Sequence, residues 1–287
     1  MSTHNSPWIV ETGWLAQHLD APDIVVLDAS MHLPNSGRNA AEEFDQQRIP
    51  GALFFDIDEI SDTASPLPHM LPSPEKFSSR VRKMGIGNGS RVIIYDTVGL
   101  FSAARVWWMF RIMGHNDVAI VNGGLPKWIA ADLPLEDGPA RQPRECHFTA
   151  RFQPSRVKSI DDMLKAVQNA NSPQIVDARA AARFAGTSPE PRAELKSGHI
   201  PGSFNLPYSN LLEDDGTLKS PEAIRQAFVA AGVDPGKPII TTCGSGVTAA
   251  ILVLGLELIG KTKSVALFDG SWAQWGSAKD VPIETGS

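Results

Sequence analysis

Along this chain, short β-branched runs alternate with longer stretches whose apolar residues recur every three or four positions. The alternation is clearest in the second half. There the pattern predicts a strand at Ile175–Asp177, a helix over Pro221–Ala231, a strand at Ile239–Thr242, a helix over Val247–Ile259 and a strand at Val265–Phe268. A parallel neighbour is reached only by a crossover long enough to hold a helix, so strands separated by helices predict parallel α/β units.

The same pattern is written twice. "LPSPEKFSSRVRKMGIGNGSRVIIYD" (71–96) is matched by "LKSPEAIRQAFVAAGVDPGKPIITTC" (218–243). Each reads as a Ser-Pro-Glu helix start, an amphipathic helix, a glycine turn and a β-branched strand. Ser73 corresponds to Ser220, Gly85 to Gly232 and Asp96 to Cys243, at an offset of 147 that also pairs Gly123 with Gly270 and Trp128 with Trp275. Upstream, "RIPGALFFDI" (48–57) corresponds to "HIPGSFNLPY" (199–208) at an offset of 151. The offset falls by four because 22 positions separate Gly51 from Ser73 and only 18 separate Gly202 from Ser220. Two copies of one unit are predicted, at 1–138 and 158–287. A linker at 139–157, rich in Pro and Arg and without a sustained period, joins them.

Composition narrows the partners. The 287 residues suffice for two cores, and a net charge of −6 with no basic run disfavours nucleic acid or an anionic membrane. The longest apolar segment, Ala249–Ile259, is interrupted by Glu257 and falls short of the ~18–20 residues a bilayer needs. The start "MSTHNSPWIV" lacks the basic and apolar regions of a secretory signal. Two cysteines, Cys146 and Cys243, make no disulfide framework, so a cytoplasmic location is expected. The seven histidines show no metal-ligand spacing, and no metal is expected.

The candidate chemistry centres on Cys243, which follows the strand "PIITT" and precedes a helix. Ligands of parallel α/β sheets bind at that place, outside the carboxyl end of a strand. Gly244, Ser245 and Gly246 follow, so successive main-chain N–H groups are free to turn inward as an anion nest at the positive end of the next helix. Both effects favour a thiolate, a strong nucleophile. The competing reading is that Cys243 is simply a small buried hydrophobe. Cys146 lies in the linker with no nest and no base. Asp96, at the place of Cys243 in the first copy, cannot attack sulfur and is expected to cap a helix, leaving that copy catalytically inactive.

The two-copy layout, "HIPGS", "CGSGVTA" and "FDGSW" together resemble the rhodanese superfamily, over nearly the whole chain from about Val10 to Pro282. The likeness is to its tandem-domain members that use 3-mercaptopyruvate. It implies an α/β fold of two tandem rhodanese-like domains, each a mainly parallel sheet flanked by helices. It also implies a persulfide on Cys243 and no cofactor. Members that prefer thiosulfate carry basic residues just after the cysteine, whereas Gly244 and Ser245 are neutral. The resemblance assigns Arg183 and Arg192 to the carboxylate and ketone of 3-mercaptopyruvate, a task suited to guanidinium forks. Read alone, they are two solvated arginines in a loop. Main-chain groups of Gly244, Gly246, Val247 and Thr248 would hold the persulfide. Pyruvate would be released, and the sulfur passed to a small thiol, a thioredoxin-like dithiol or cyanide. Some relatives pair the loop serine, here Ser245, with a His and an Asp of the first domain. The matching positions read as Arg48 and Asn39, so that relay is not expected intact.

Other classes fit less well. A phosphatase of this superfamily needs Cys-x5-Arg, and position 249 is Ala. "GLELIGKT" (255–262) has the letters of a P-loop but lies at the end of a helix and before a strand, the reverse of what phosphate binding requires. "CGSGV" lacks the first glycine of a G-x-S-x-G elbow. Two alternatives remain: a thiosulfate sulfurtransferase, and a non-catalytic persulfide carrier or scaffold domain, which would have no use for Arg183 and Arg192. His199, opening a Pro-Gly turn, is expected to be structural.

Overall fold

Among the described residues, β-branched runs become ten strands in two sheets of five. A computed structural model describes residues 6–33, 36–169, 172–261 and 263–286. The first sheet contains β1 (Ile9–Val10), β2 (Ile24–Asp28), β3 (Leu53–Phe54), β4 (Arg91–Tyr95) and β5 (Val118–Val121). The second contains β6 (Val157–Lys158), β7 (Gln174–Asp177), β8 (Phe204–Asn205), β9 (Ile239–Thr242) and β10 (Val265–Phe268). Their orders are β1-β5-β4-β2-β3 and β6-β10-β9-β7-β8, and every pairing is parallel. The two copies therefore share one topology. The register aligns Asp28 with Tyr95 in the first sheet and Asp177 with Thr242 in the second, one residue before Asp96 and Cys243 respectively.

Parallel sheets are covered on both faces, and the central strands show it: Val92–Tyr95 and Ile239–Thr242 are buried throughout. Two helices have no solvent face to speak of. All of Ala103–Ile112 is buried, as is Ala249–Glu257 of the helix Ala249–Leu258. A helix apolar on every side belongs in the interior. The Ser-Pro-Glu starts work as read: Ser73 accepts from the Lys76 N–H at 3.2 Å and Ser220 from the Ala223 N–H at 3.3 Å, each ahead of a first-turn proline. The helix predicted from Val247 begins at Ala249, because the preceding residues are used by the loop after Cys243. The P-loop letters fall on the end of this helix, with Gly255 inside it; Thr262 lies outside the described residues.

The chain divides into two compact units. The first holds residues up to Thr63, Leu71–Gln153 and Glu213–Leu218; the second holds Ala64–Met70, Pro154–Leu212 and the chain from Lys219 onward. Each repeat thus lends a short segment to the other's unit. The stretch expected to be a plain linker is in part a strap on the first unit. Arg151 and Gln153 donate to the Met113 and Ile112 carbonyls at 2.7 and 2.9 Å, and Phe148 is buried against Phe77 and Phe110.

Asp28 is fully buried at the end of β2 and accepts the Ser30 N–H at 2.8 Å. Burial pushes its carboxyl up to about 6 from the ordinary 3.8, against the lowering effect of the Ser30 hydrogen bonds. A raised carboxyl binds its proton more tightly folded than unfolded. The fold therefore carries no penalty below pH ~3.8, a growing one between ~3.8 and ~6, and the full one above. Asp28→Asn keeps the acceptor for Ser30 and is expected to stabilise the protein at pH 7–8 by up to about 3 kcal/mol. It should make little difference near pH 4, as read by urea unfolding at the two pH values. Equal gains at both would show that charge burial is not the cause.

Candidate active site

Cys243 lies between the end of β9 and the helix Ala249–Leu258, with Gly246 at φ +76° bending the loop. The first copy displays what such a loop binds. There Gly99, at φ +104°, corresponds to Gly246, and the Asp96 carboxylate receives four main-chain N–H groups. Val98 donates to one oxygen at 3.0 Å; Phe101, Ser102 and Ala103 donate to the other at 2.7, 2.9 and 2.9 Å. The carboxylate fills a nest of amides built by its own loop, as a helix N-terminus favours. At the offset of 147, the first three of these donors become Ser245, Thr248 and Ala249. Among the described residues, no acceptor is assigned to the N–H of Gly244, Ser245, Val247, Thr248 or Ala249. The second copy keeps the loop and replaces the anion that filled it with a thiol.

Cys243 is 1% exposed, so it is not the open turn tip that the sequence pattern implied. The cause is the short helix Ser271–Trp275, which closes over the loop: Trp272 and Ala273 donate to the Cys243 and Gly244 carbonyls at 2.9 and 2.8 Å. The Cys243 N–H donates to Ser271 Oγ at 3.1 Å, and that hydroxyl donates to the Phe268 carbonyl at 2.8 Å. Ser271 holds φ +47°. Its counterpart in the first copy is Gly124 at φ +55°, where a Cβ would collide with the Asp96 carbonyl. A non-glycine residue in the left-handed region costs about 1–3 kcal/mol and persists where its surroundings impose it. Here the hydrogen bond to Cys243 gives it a task. Gly244 and Thr248 remain partly exposed and form the loop's solvent side.

Arg183 reaches that side. Its Nη2 would lie 3.1 Å from a Cβ placed on Gly244, which is why a side chain there would displace the guanidinium. Arg183 pairs with Glu190, Nη2 to Oε2 at 2.5 Å and Nε to Oε1 at 3.4 Å. Arg192 Nη2 lies 3.5 Å from Nε2 of His69, and among the described residues no carboxylate is paired with Arg192. His69 belongs to the Ala64–Met70 segment that the first repeat contributes to this unit, and holds φ +59°. The sequence reading missed it. Arg48 and Asn39, by contrast, have structural work in the first unit. Arg48 is fully buried, donating to Glu136 at 2.5 Å and to the Gly138 carbonyl at 2.6 Å. Asn39 caps the helix Ala40–Gln46. His199 stacks on Phe184 at 3.8 Å and bonds its carbonyl at 2.9 Å. Cys146 is exposed. Among the described residues no group of three His, Cys, Asp or Glu side chains could hold a metal ion, and no helix is long and apolar enough to cross a membrane.

Two parallel sheets of one topology, each ending a central strand in an amide-lined loop, define the rhodanese fold. The model of the rhodanese-like domain matches the chain twice, at residues 11–131 and 160–278, and the chain belongs to that family. It is a two-domain sulfurtransferase of the family. The chain is 45% identical over 281 residues to 3-mercaptopyruvate sulfurtransferase of Escherichia coli K12, covering 98% of this chain and 99% of that protein. It is 45% identical to the human enzyme of the same name, covering 93% and 91%. Among solved structures, the 3-mercaptopyruvate sulfotransferase SseA from Escherichia coli superposes with a TM-score of 0.85 at 44% identity, covering 93% of this chain and 99% of that one.

Proposed function

We propose that this sulfurtransferase takes sulfur from 3-mercaptopyruvate, holds it as a persulfide on Cys243 and passes it to a thiol or cyanide. The observation that carries the reading is the contrast between the two loops: the amides that bind the Asp96 carboxylate in one copy surround a cysteine in the other. The Cys243 thiolate attacks the sulfur of the donor. The C–S bond breaks, its electron pair leaves as the pyruvate enolate, and the enolate takes a proton. The loop N–H groups of Gly244, Ser245, Val247 and Thr248 stabilise charge on the persulfide without reorganising at the moment of reaction. The acceptor then attacks the outer sulfur and frees the thiolate.

Arg183 and Arg192 divide the donor between them. Arg183 is already neutralised by Glu190, so it serves as a directed N–H donor to the ketone. Arg192, with no carboxylate of its own, supplies the net positive charge for the donor's carboxylate. No intact Ser–His–Asp relay is expected, because Arg48 and Asn39 stand at its positions; Ser245 of the loop and His69, beside Arg192, are the groups we give to proton handling instead.

Incubation with 3-mercaptopyruvate alone tests the reading. One pyruvate per Cys243 and a protein heavier by one sulfur atom are expected. If neither appears while a small persulfide still loads Cys243, the carrier reading replaces this one. A kcat/KM higher for thiosulfate than for 3-mercaptopyruvate would make thiosulfate the donor.

A further inference from the structure

Behind Arg183 lies a chain of alternating buried charges. Asp177, at the end of β7, accepts from Arg179 Nε and Nη2 at 2.9 and 2.7 Å. Arg179 Nη1 donates to Glu190 Oε1 at 2.8 Å. Glu190 holds Arg183 through its other oxygen. The side chains of Asp177, Arg179 and Glu190 are 1%, 0% and 1% exposed, while that of Arg183 is 23% exposed. Burial alone would push the Arg179 guanidinium down, but Asp177 and Glu190 more than offset this and hold it above its usual value. Arg179 also lies 4.3 Å over the ring of Trp272, a residue whose main-chain N–H donates to the Cys243 carbonyl.

The first copy is an internal control. Asp28 stands at the register position of Asp177, and each carboxylate accepts the N–H two residues on, at 2.8 and 2.9 Å. That residue is Ser30 in the first copy and Arg179 in the second. The strand-end turn therefore needs no arginine, and the first copy folds without one, leaving Asp28 with a carboxyl pushed up by burial. Sequestering a guanidinium and a second carboxylate is costly, and replacing such groups by apolar ones is often neutral or stabilising. The extra pair occurs in the copy that has the cysteine, and it terminates on a partly exposed guanidinium beside Gly244.

We propose that Glu190 is a positioning residue for the sulfur-transfer reaction: backed by Arg179, it locks the Arg183 fork by Nε and Nη2 beside Gly244 and leaves Nη1 to serve the donor's ketone. This rests on the clamp role given to Arg183 above. Glu190→Gln keeps size and one acceptor but removes the charge that fixes the fork. Misplacing a positioning group by ~1 Å costs about 100-fold, so kcat/KM for 3-mercaptopyruvate is expected to fall ~10–100-fold. Loading of Cys243 by a small alkyl persulfide, which has no ketone or carboxylate to position, should change less than about twofold, well within the non-additivity of contacting residues. The deciding measurement is the cycle with Arg183→Ala. If Glu190 acts through Arg183, Glu190→Gln added to Arg183→Ala costs nothing further. Effects that multiply, or a persulfide-loading rate that falls in step with kcat/KM, overturn the positioning role and leave the clamp standing. An Arg183→Ala variant with unchanged kcat/KM overturns the clamp itself, and this proposal with it. If Glu190→Gln does not fold, Glu190→Asp, charged but one methylene shorter, takes its place in the same cycle.

Discussion

Cys243→Ser is expected to abolish pyruvate release from 3-mercaptopyruvate, with a loss on the order of 10⁴-fold or more, as when a covalent nucleophile is removed. The fold should survive. A serine hydroxyl is no larger than the thiol, and the amides around it that have no protein acceptor would accommodate its oxygen rather than leave it stranded. Thermal unfolding should therefore move by only a few degrees, the equivalent of about 1 kcal/mol. The physical content is that a serine hydroxyl is a far weaker nucleophile toward sulfur than a cysteine's sulfur. Stopped pyruvate release together with an intact melting transition is the result to look for. Appreciable turnover by the folded serine variant would place the nucleophile elsewhere and remove the foundation of the proposed function.

Arg192→Ala is the second large effect. A hydrogen bond to a charged group contributes about 1.5–3 kcal/mol, so KM for 3-mercaptopyruvate should rise ~10–150-fold. The KM for thiosulfate, which carries no carboxylate, should rise much less. The prediction singles out Arg192 because its charge is uncompensated, whereas Arg183 spends its charge on Glu190. Steady-state kinetics with both donors separates the cases. A like increase for both would mean that Arg192 supplies a general positive field and not a fitted carboxylate site.

Much of this was legible in the residue string because it is local or periodic. The repeat survives as paired punctuation, Ser-Pro-Glu, Ile-Pro-Gly and the glycine turns, since each marks a backbone requirement that both copies share. Strand and helix limits in the second copy fall within two residues of those predicted from the pattern. The loop after Cys243 could be read because small residues between a strand and a helix leave few other conformations. The comparison of Asp96 with Cys243 was also available, but not its meaning. Only the geometry reveals that Asp96 fills a nest, because that is a matter of where four N–H groups point.

The remaining pieces depend on residues far apart in the chain, and no periodicity encodes them. His69 sits among residues of the first repeat yet packs with the second unit beside Arg192. Its one trace in the sequence is the four-residue excess between Gly51 and Ser73. The seal over Cys243 comes from Ser271–Trp275, whose first residue lies 28 positions downstream. The charge chain from Asp177 to Arg183 needs four side chains that share no spacing rule, and only burial makes their pairing obligatory. Local backbone preferences and hydrophobic period thus specified the two α/β units and the turn that carries the sulfur nucleophile. Which charges face that turn, and which are hidden behind them, was decided when distant segments were brought together and their charged groups lost their water.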